Sequence, residues 1–490
     1  MKTNNTGVGH VETRGIEPVP DEERHGGPLS LFWTWFGANM GVLGITLGAV
    51  LVTFTGLNVV QSVAVAGVGS VVSFLLVAVI GTAGRTGGAP GLTLSRSVFG
   101  VRGNWGPTLV SWLSFVGWET IMCTTAAFAL LRVVDRWGTG NGPMTIGLCL
   151  ITVVALSAGI GLFGHATIMW MQKWLTLIFG GLTVIVVAFL SVRVHWAGVL
   201  AAPAGGLAPV MSGIGFIAAG TGLGWLSAGP DYARYLPRGV RTSRMVLATV
   251  TGSSIPLVVL TSLGALMAIG DSGLASANDP VAAIGASLPS WMLVPYLLTA
   301  VFGLIAGADL SMYSSGLNLI TGGIKVRRTT AVAVDAVLIT IGGLYITVIA
   351  QDFYGPFITF LTLLAVPLTS WAGVFAVDMA ARRQYDPQGL LDTQPGSRYW
   401  YSGGVRWSAL VGWLSGIALA LLFTRAQAGD AVWFAGPLST TWLGRNSFGW
   451  LVAGGTAAVV FSLARALGDR RSAEPTSAAA LDRLGADSDG

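Results

Sequence analysis

Long apolar runs, each about the length of a bilayer-spanning helix, alternate with short polar loops along almost the whole chain. A span needs roughly twenty apolar residues, more if tilted. The pattern predicts six such spans in the first half, at 31–55, 57–81, 107–133, 143–163, 166–192 and 211–233. Six more follow at 243–269, 290–322, 329–350, 354–379, 405–425 and 446–467. The tightest joins fall within the pairs 31–55 with 57–81 and 143–163 with 166–192. Both ends are polar and rich in small residues, so 1–27 and 468–490 are expected to be disordered tails on one twelve-helix domain, 28–467.

Composition removes the soluble alternatives. Apolar residues make up 53% of the 490 and charged residues 10%, against about 25% charged in ordinary globular proteins. Lipid accepts such a chain, because it tolerates apolar side chains and penalises charge. The formal charge of +5 raises nucleic acid as a partner. The Lys and Arg residues are scattered through short loops, however, with no basic helix and no aromatic-basic stripe, which argues against it. Cys123 and Cys149 sit in apolar runs, form no CxxC pair and read as small buried hydrophobes. The first thirty residues carry Glu12, Glu17, Asp21, Glu22 and Glu23 without an apolar core, so no cleavable signal peptide is expected there.

Charge in the loops sets an orientation. With twelve spans, one side collects Arg85, Arg96 and Arg102, then Arg234, Arg238, Arg241 and Arg244. Lys325, Arg327, Arg328, Arg382, Arg383, Arg398 and Arg406 fall on the same side, as do both tails. The other side holds only Arg132, Arg136, Arg193, Arg425 and Arg445, and Lys173 lies within a span. A wrong span count would scramble this alternation. The basic side, with both termini, is expected to face the cytoplasm of a cell with the protein in its plasma membrane.

Two spans carry helix-breaking sequence. Span one contains WFGANMGVLGITLGA, with Gly37, Gly41, Gly44 and Gly48; span six contains GTGLGWLSAGPDYARYLPR, with Gly220, Gly222, Gly224, Gly229 and Pro230. Glycine weakens a helix interior, and proline removes a donor and clashes with the preceding turn. Backbone groups freed in this way must face protein or a wet cavity, and paired interruptions in two halves point to a transporter binding site. The plainer reading of the span-one glycines is close helix packing through a small-xxx-small face.

Several stretches resemble the purine/cytosine permease branch of the nucleobase–cation symporters. They are GIEPVPDEERHG from Gly15, WFGANMGVLGITLGA, GGAPGLTLSRSVFG within 84–104, GWE at Gly117 to Glu119, DYARYLP from Asp231 and YSSGLN from Tyr313. They run in order across roughly 15–405. The resemblance implies an all-α polytopic membrane protein of twelve transmembrane helices, the first ten forming two inverted five-helix repeats with helices one and six broken. It also implies polar substrate-holding positions at Gly307 and Ser311, where asparagines are common, and an Asn where this chain has Met122.

Ionisable residues inside spans are functional by default. Glu119 lies well within span three, where it could read the edge of a base or carry a proton. The plainer reading is a structural carboxylate bonded by Thr124 or Thr125. Asp309 lies near the middle of span eight and is the second ion-coupling candidate. Ser311 stands about 200° round the helix from it, so the two are not expected to share one small pocket. Trp118 and Trp225 sit too deep for an interfacial belt and could stack on a planar heterocycle. Gly224, beside Trp225, joins the candidate set. Asn39 joins it because a buried amide in a broken helix needs a partner. Asp231, Arg234 and Tyr235 read as an end-cap or gate on span six.

These residues predict a cation-coupled symporter that imports a small heterocycle, a nucleobase such as cytosine or a purine, by alternating access. A related ring such as a hydantoin, allantoin or a vitamin precursor is the alternative. A channel would need a continuous polar pore, and isolated polar groups do not make one. The chain has no HExxH, GxSxG or CxxC, so neither an enzyme, a cofactor nor a bound metal is expected. A proton is favoured over sodium as coupling ion. The resemblance places a sodium site on carbonyls of the broken first helix and paired hydroxyls of the eighth, and Gly303 to Ala308 has no hydroxyl. Beyond substrate and lipid bilayer, no partner or oligomeric state is indicated.

Overall fold

Span one does break. Helix α1 (Pro28–Ala38) and helix α2 (Leu43–Thr53) meet at 62° across residues 39–42. The turn between them is closed by tight backbone bonds, Asn39 N–H to Phe36 O at 3.2 Å and Met40 N–H to Gly37 O at 3.3 Å. This computed structural model describes residues 14–162, 165–192, 196–270, 280–286, 288–324, 328–350, 354–382, 384–428 and 431–473.

Span two is α3 (Val59–Gly87), started by a capping box between Asn58 and Gln61 and stopped by Gly88 at φ 70°. The short α4 (Gly91–Phe99) precedes span three, α5 (Trp105–Asp135), and then come α6 (Pro143–Gly161) and α7 (His165–Val192). After the short α8 (Trp196–Ala201), span six divides into α9 (Leu207–Gly220), a 3-10 turn at Gly222–Trp225 and α10 (Gly229–Ala233). The second half runs through α11 (Thr242–Gly270), the short α12 (Pro280–Ala286), α13 (Ser290–Thr321), α14 (Arg328–Leu344) and α15 (Tyr354–Ala381). The short α16 (Pro387–Leu391), α17 (Trp407–Phe423), the short α18 (Trp442–Arg445) and α19 (Gly449–Ala473) complete it. Among the described residues 10 helices are long and apolar enough to cross a membrane, and the bent α1–α2 pair makes 11. The expected span at 405–425 is an apolar helix of only 17 residues.

Two features depart from the sequence reading. The connection before α18 is not all loop. Strands β1 (Arg425–Ala428) and β2 (Ala431–Ala435) pair antiparallel, with Arg425 opposite Ala435 and a bulge after Ala426. Four- and five-residue strands in a polar connection carry too little periodicity to be read from sequence. The second departure is the N-terminal segment, expected to be disordered over 1–27. Residues 1–13 lie outside the described part, but 14–27 are held against the bundle. Arg24 is buried, donates to Val19 O at 3.0 Å and Arg85 O at 2.6 Å, and Val19 N–H bonds Gly88 O at 2.8 Å. Arg24 thus serves a backbone carbonyl of α3, while Glu17, Asp21, Glu22 and His25 remain exposed. At the other end α19 runs on to Ala473, and 474–490 lie outside the described residues.

The glycines of span one divide between the two readings. Gly44 and Gly48 face α11, where Gly48 meets Thr261 O and Gly264 of α11 meets Ile45 O so closely that a Cβ at either would collide with the carbonyl. Gly37 and Gly41 sit at the break, Gly37 beneath Gln172 and Gly41 beneath Leu304. Close packing therefore explains the α2 half, and the interruption explains the α1 end.

That contact generates a prediction. Gly264→Val should lower stability by about 1–3 kcal/mol through overpacking against Ile45, whereas Gly67→Ala, with nothing within 4 Å of its added Cβ, should leave it unchanged. Thermal unfolding of purified protein measures both, and equal losses would contradict the close α2–α11 approach.

Candidate substrate site

Helices α5 and α13 share the most extensive helix–helix contact in the bundle, and both breaks lie beside them. The span-six break is stitched to α3: Thr221 Oγ lies 3.2 Å from Ser73 Oγ, and Gly222 N–H donates to Ser73 Oγ at 3.3 Å. A side-chain hydroxyl here replaces a helical carbonyl, as a break inside lipid requires.

The aromatic candidates fall into two clusters that meet at Gly224. Trp225 packs edge-to-face on Trp35 of α1 at 5.6 Å and tilts on Phe115 of α5 at 6.0 Å. Trp35 also contacts Phe74 and Tyr232, at 5.7 and 5.5 Å. Trp118, half-buried, belongs instead with Phe357 and Phe360 of α15, each at 6.1 Å. Its indole nitrogen rests on Gly224, where a Cβ would come within 2.5 Å. Trp35, Phe115 and Phe357 were absent from the sequence reading, because an aromatic in an apolar span looks like any lipid-facing residue until its partners are known.

Glu119 is fully buried, and neither carboxyl oxygen has a hydrogen-bond partner. The structural alternative needs a neighbouring hydroxyl such as Thr124 or Thr125, and the hydroxyl that acts on Glu119 is that of Ser311. Thr125 turns back to Ile121 O at 2.8 Å, and the Thr124 hydroxyl is itself unpartnered. The groups acting on Glu119 are Ser311 of α13 and a second acid, Asp335 of α14. Ser311 also donates to Phe115 O at 3.4 Å. Asp309 is buried with Oδ1 unpartnered. It acts on Cys123, as Glu119 does, so both candidate acids lie near that α5 residue. Asp335 was missed, although the same rule that found Glu119 would have flagged it in the apolar run AVAVDAVLI.

Asn39 ends α1 and donates its amide to Trp35 O at 2.8 Å, so part of its hydrogen-bonding capacity serves its own helix. Gly307 faces the break, with Ala38 O and the Met122 sulfur about it. On the α7 side, Gln172 donates to Ala306 O at 2.6 Å, leaving Gln172 Oε1 and Thr176 Oγ buried, unpartnered and directed at Gly37. The proposed gate residues are tied together: buried Arg234 donates to Tyr313 OH at 2.6 Å, Tyr235 OH at 3.0 Å and Gly15 O at 2.9 Å. Asp231 accepts the Gly91 N–H of α4 at 2.8 Å. A cavity of about 550 Å³ lies elsewhere, between Phe54, Phe216, Thr362, Gln427, Arg445 and Trp450, and none of the candidate residues lines it.

Residues 18–442 match the family described as permeases for cytosine/purines, uracil, thiamine and allantoin. The chain belongs to this family. The permease is accordingly a multi-pass membrane protein. It is 26% identical over 474 residues to YxlA of Bacillus subtilis, provisionally named a purine-cytosine permease, covering 92% of this chain and 95% of that one. It is 29% identical over 278 residues to the purine-cytosine permease FCY2 of Saccharomyces cerevisiae, covering 55% of this chain and 50% of that one. Among solved structures it resembles Mhp1, a nucleobase-cation-symport-1 family transporter, closed with bromovinylhydantoin bound: TM-score 0.74, 20% identity, 92% of this chain and 94% of that one. The inward-facing form of Mhp1 gives a TM-score of 0.69 at 17% identity, over 94% and 96% of the two chains. The permease therefore has the inverted-repeat transporter fold, in which broken spans one and six are counterparts.

Proposed function

We propose that this permease is a secondary active transporter, a cation-coupled symporter that imports a nucleobase such as cytosine or a purine by alternating access. The observation that carries the reading is that Trp225 of the span-six break packs on Trp35, one turn before the span-one break, while Gly224 beside it supports Trp118, the neighbour of the fully buried Glu119. A flat heterocycle presents two apolar faces and a polar rim, and a pocket for it needs stacking surfaces and a few placed hydrogen bonds. Trp118 and Trp225 supply the ring surfaces, and Gly224 lets the Trp118 indole close on the span-six backbone. Glu119 reads the rim with Ser311 at its carboxyl, and the free capacity of Asn39 adds a polar group at the span-one break. The purine-cytosine permeases among the relatives and the hydantoin seen in Mhp1 support this substrate class. Met122 and Gly307 stand where the family resemblance puts amides, so rim recognition falls on Glu119 instead.

Truncating Trp118 or Trp225 to Ala should weaken binding by about 1–3 kcal/mol, roughly ten- to a hundredfold in affinity. Glu119→Gln should change which ring is preferred, because it exchanges an acceptor for a donor. Thermal-shift competition with cytosine, adenine, hypoxanthine and uracil on correctly inserted protein measures both effects. Unchanged affinity and preference across all three variants would remove these residues from the site.

A proton is the coupling ion in this reading, held by Glu119 with Asp309 nearby. One observation favours sodium instead: Gln172 Oε1 and Thr176 Oγ present two free oxygens at the α1 break, where α13 has no hydroxyl. Hard cations need several such oxygens. Uptake should collapse with a protonophore and ignore sodium replacement at fixed pH. Sodium dependence lost in Gln172→Leu, with indifference to the protonophore, would reverse the assignment.

The excess of Lys and Arg in one set of loops supports a reading in which both termini face the cytoplasm of a cell whose plasma membrane holds the protein. Cysteines placed near Arg241 and near Lys325, the latter outside the described residues, should label only from the cytoplasm. Labelling of either from outside intact cells would contradict this.

A further inference from the structure

A file of buried polar groups leads away from Glu119 along the α5–α13 contact toward the basic end of the bundle. It begins with Ser311, and one helical turn further along α13 stands Ser315, fully buried with its hydroxyl unpartnered. Ser315 faces Asp335 of α14. Asp335 is fully buried too; its Oδ1 accepts the Trp112 indole N–H at 2.9 Å, and its Oδ2 has no partner. Trp112 lies two turns below Glu119 on α5, about 10 Å along the helix.

The polar file does not stop there. Asn318 of α13 donates to Ser111 Oγ at 2.9 Å, and Ser111 pairs with Ser227 of the span-six break at 2.7 Å. Below them Asn104 donates to Thr108 Oγ at 3.1 Å and keeps a buried, unpartnered Oδ1. Arg102 and Trp105, on either side of this region, are exposed. Small residues and paired Ser, Thr and Asn hydroxyls and amides are ordinary at helix contacts in lipid, so the unusual feature of this seam is its polar atoms that have no partner. Buried polar atoms without partners are rare and call for a functional explanation, and here they recur along one seam from the site to the surface.

Resting on the proton-coupling reading above, we propose that Asp335 is the acceptor through which the coupled proton leaves Glu119 for the cytoplasm along this seam. The Glu119 O–H bond breaks, the Ser311 and Ser315 hydroxyls in turn each gain one O–H bond and give up another, and a new O–H bond forms at Asp335 Oδ2. Glu119 is left as the carboxylate and Asp335 neutral until the proton passes to cytoplasmic water and Asp335 regains its charge. The titratable group acting on Glu119 is Asp335 from α14, while Asp309 from α13 and Glu119 both act on Cys123 of α5. No basic group acts on Glu119 among the described residues. Two buried carboxylates that act on one another repel, and a proton on either relieves the repulsion. The Trp112 N–H holds the Asp335 carboxyl in place and leaves its second oxygen free for the transfer.

Proteoliposomes loaded with a pH-sensitive dye and given an equimolar mixture of cytosine, adenine, hypoxanthine and uracil test the path. Wild-type protein should acidify the interior as it takes up base. Asp335→Asn should slow that acidification by roughly a hundredfold or more, while exchange of labelled for unlabelled base, which needs no proton release, continues. Trp112→Phe, which keeps the ring and loses the N–H, should slow acidification less and also spare exchange. It decides the matter if Asp335→Asn fails to insert. Acidification at the wild-type rate in these variants would overturn the path and leave proton coupling standing. Loss of exchange together with acidification in inserted Asp335→Asn would place Asp335 in the substrate site and also overturn it. Uptake by wild type without any acidification would overturn proton coupling itself, and the path with it.

Discussion

A backbone N–H or C=O cannot be left bare in hydrocarbon, and this constraint organises the whole bundle. Spans one and six both stop in mid-membrane, so the groups they free must be met by protein or solute. Part of the demand is met locally. Tight turns close the end of α1, Asn39 bonds Trp35 O, and Ser73 serves both Thr221 and Gly222. The remainder is enclosed by α5 and α13, the two helices that carry the buried polar side chains. The breaks therefore locate the site, and the long unbroken helices provide the walls.

The same constraint gives the buried acids their weight. Glu119, Asp309 and Asp335 all lie inside spans, and each keeps at least one carboxyl oxygen without a hydrogen bond. A bundle selected for stability alone would replace such groups with apolar side chains, because an unpaired charge in a low-dielectric interior is costly. Their presence on three helices packed against one another, α5, α13 and α14, is what a carrier needs if protonation and substrate binding are to depend on each other. Packing elsewhere follows ordinary rules, with Gly48 and Gly264 allowing α2 and α11 to touch backbone to backbone.

Much of this was legible in the sequence, for physical reasons that differ by element. Span positions and the two breaks follow from runs of apolar residues and clustered Gly and Pro, which act locally. Glu119 and Asp309 stood out because an acid in an apolar run is conspicuous. Asp335 was equally visible as an acid, but its run AVAVDAVLI carries no Gly or Pro interruption that would tie span nine to the site. The partition of Trp118 and Trp225 between two ring clusters was not legible, since it depends on α15 and α1, far away in the chain. Nor was the ordering of residues 14–27, whose Arg24 finds carbonyls of α3 only in the folded protein. The β1–β2 hairpin is too short to leave a periodic signature.

The central claim is that a substrate site between the two breaks is exposed to one side of the membrane at a time. Counterflow tests it most directly: vesicles carrying the protein are loaded with an unlabelled base, diluted and offered a trace of the same base in labelled form. The account predicts a transient accumulation of label above its external concentration for at least one of cytosine, adenine, hypoxanthine and uracil. Label that enters and merely equilibrates, with no overshoot for any of these bases or for a hydantoin, would contradict it.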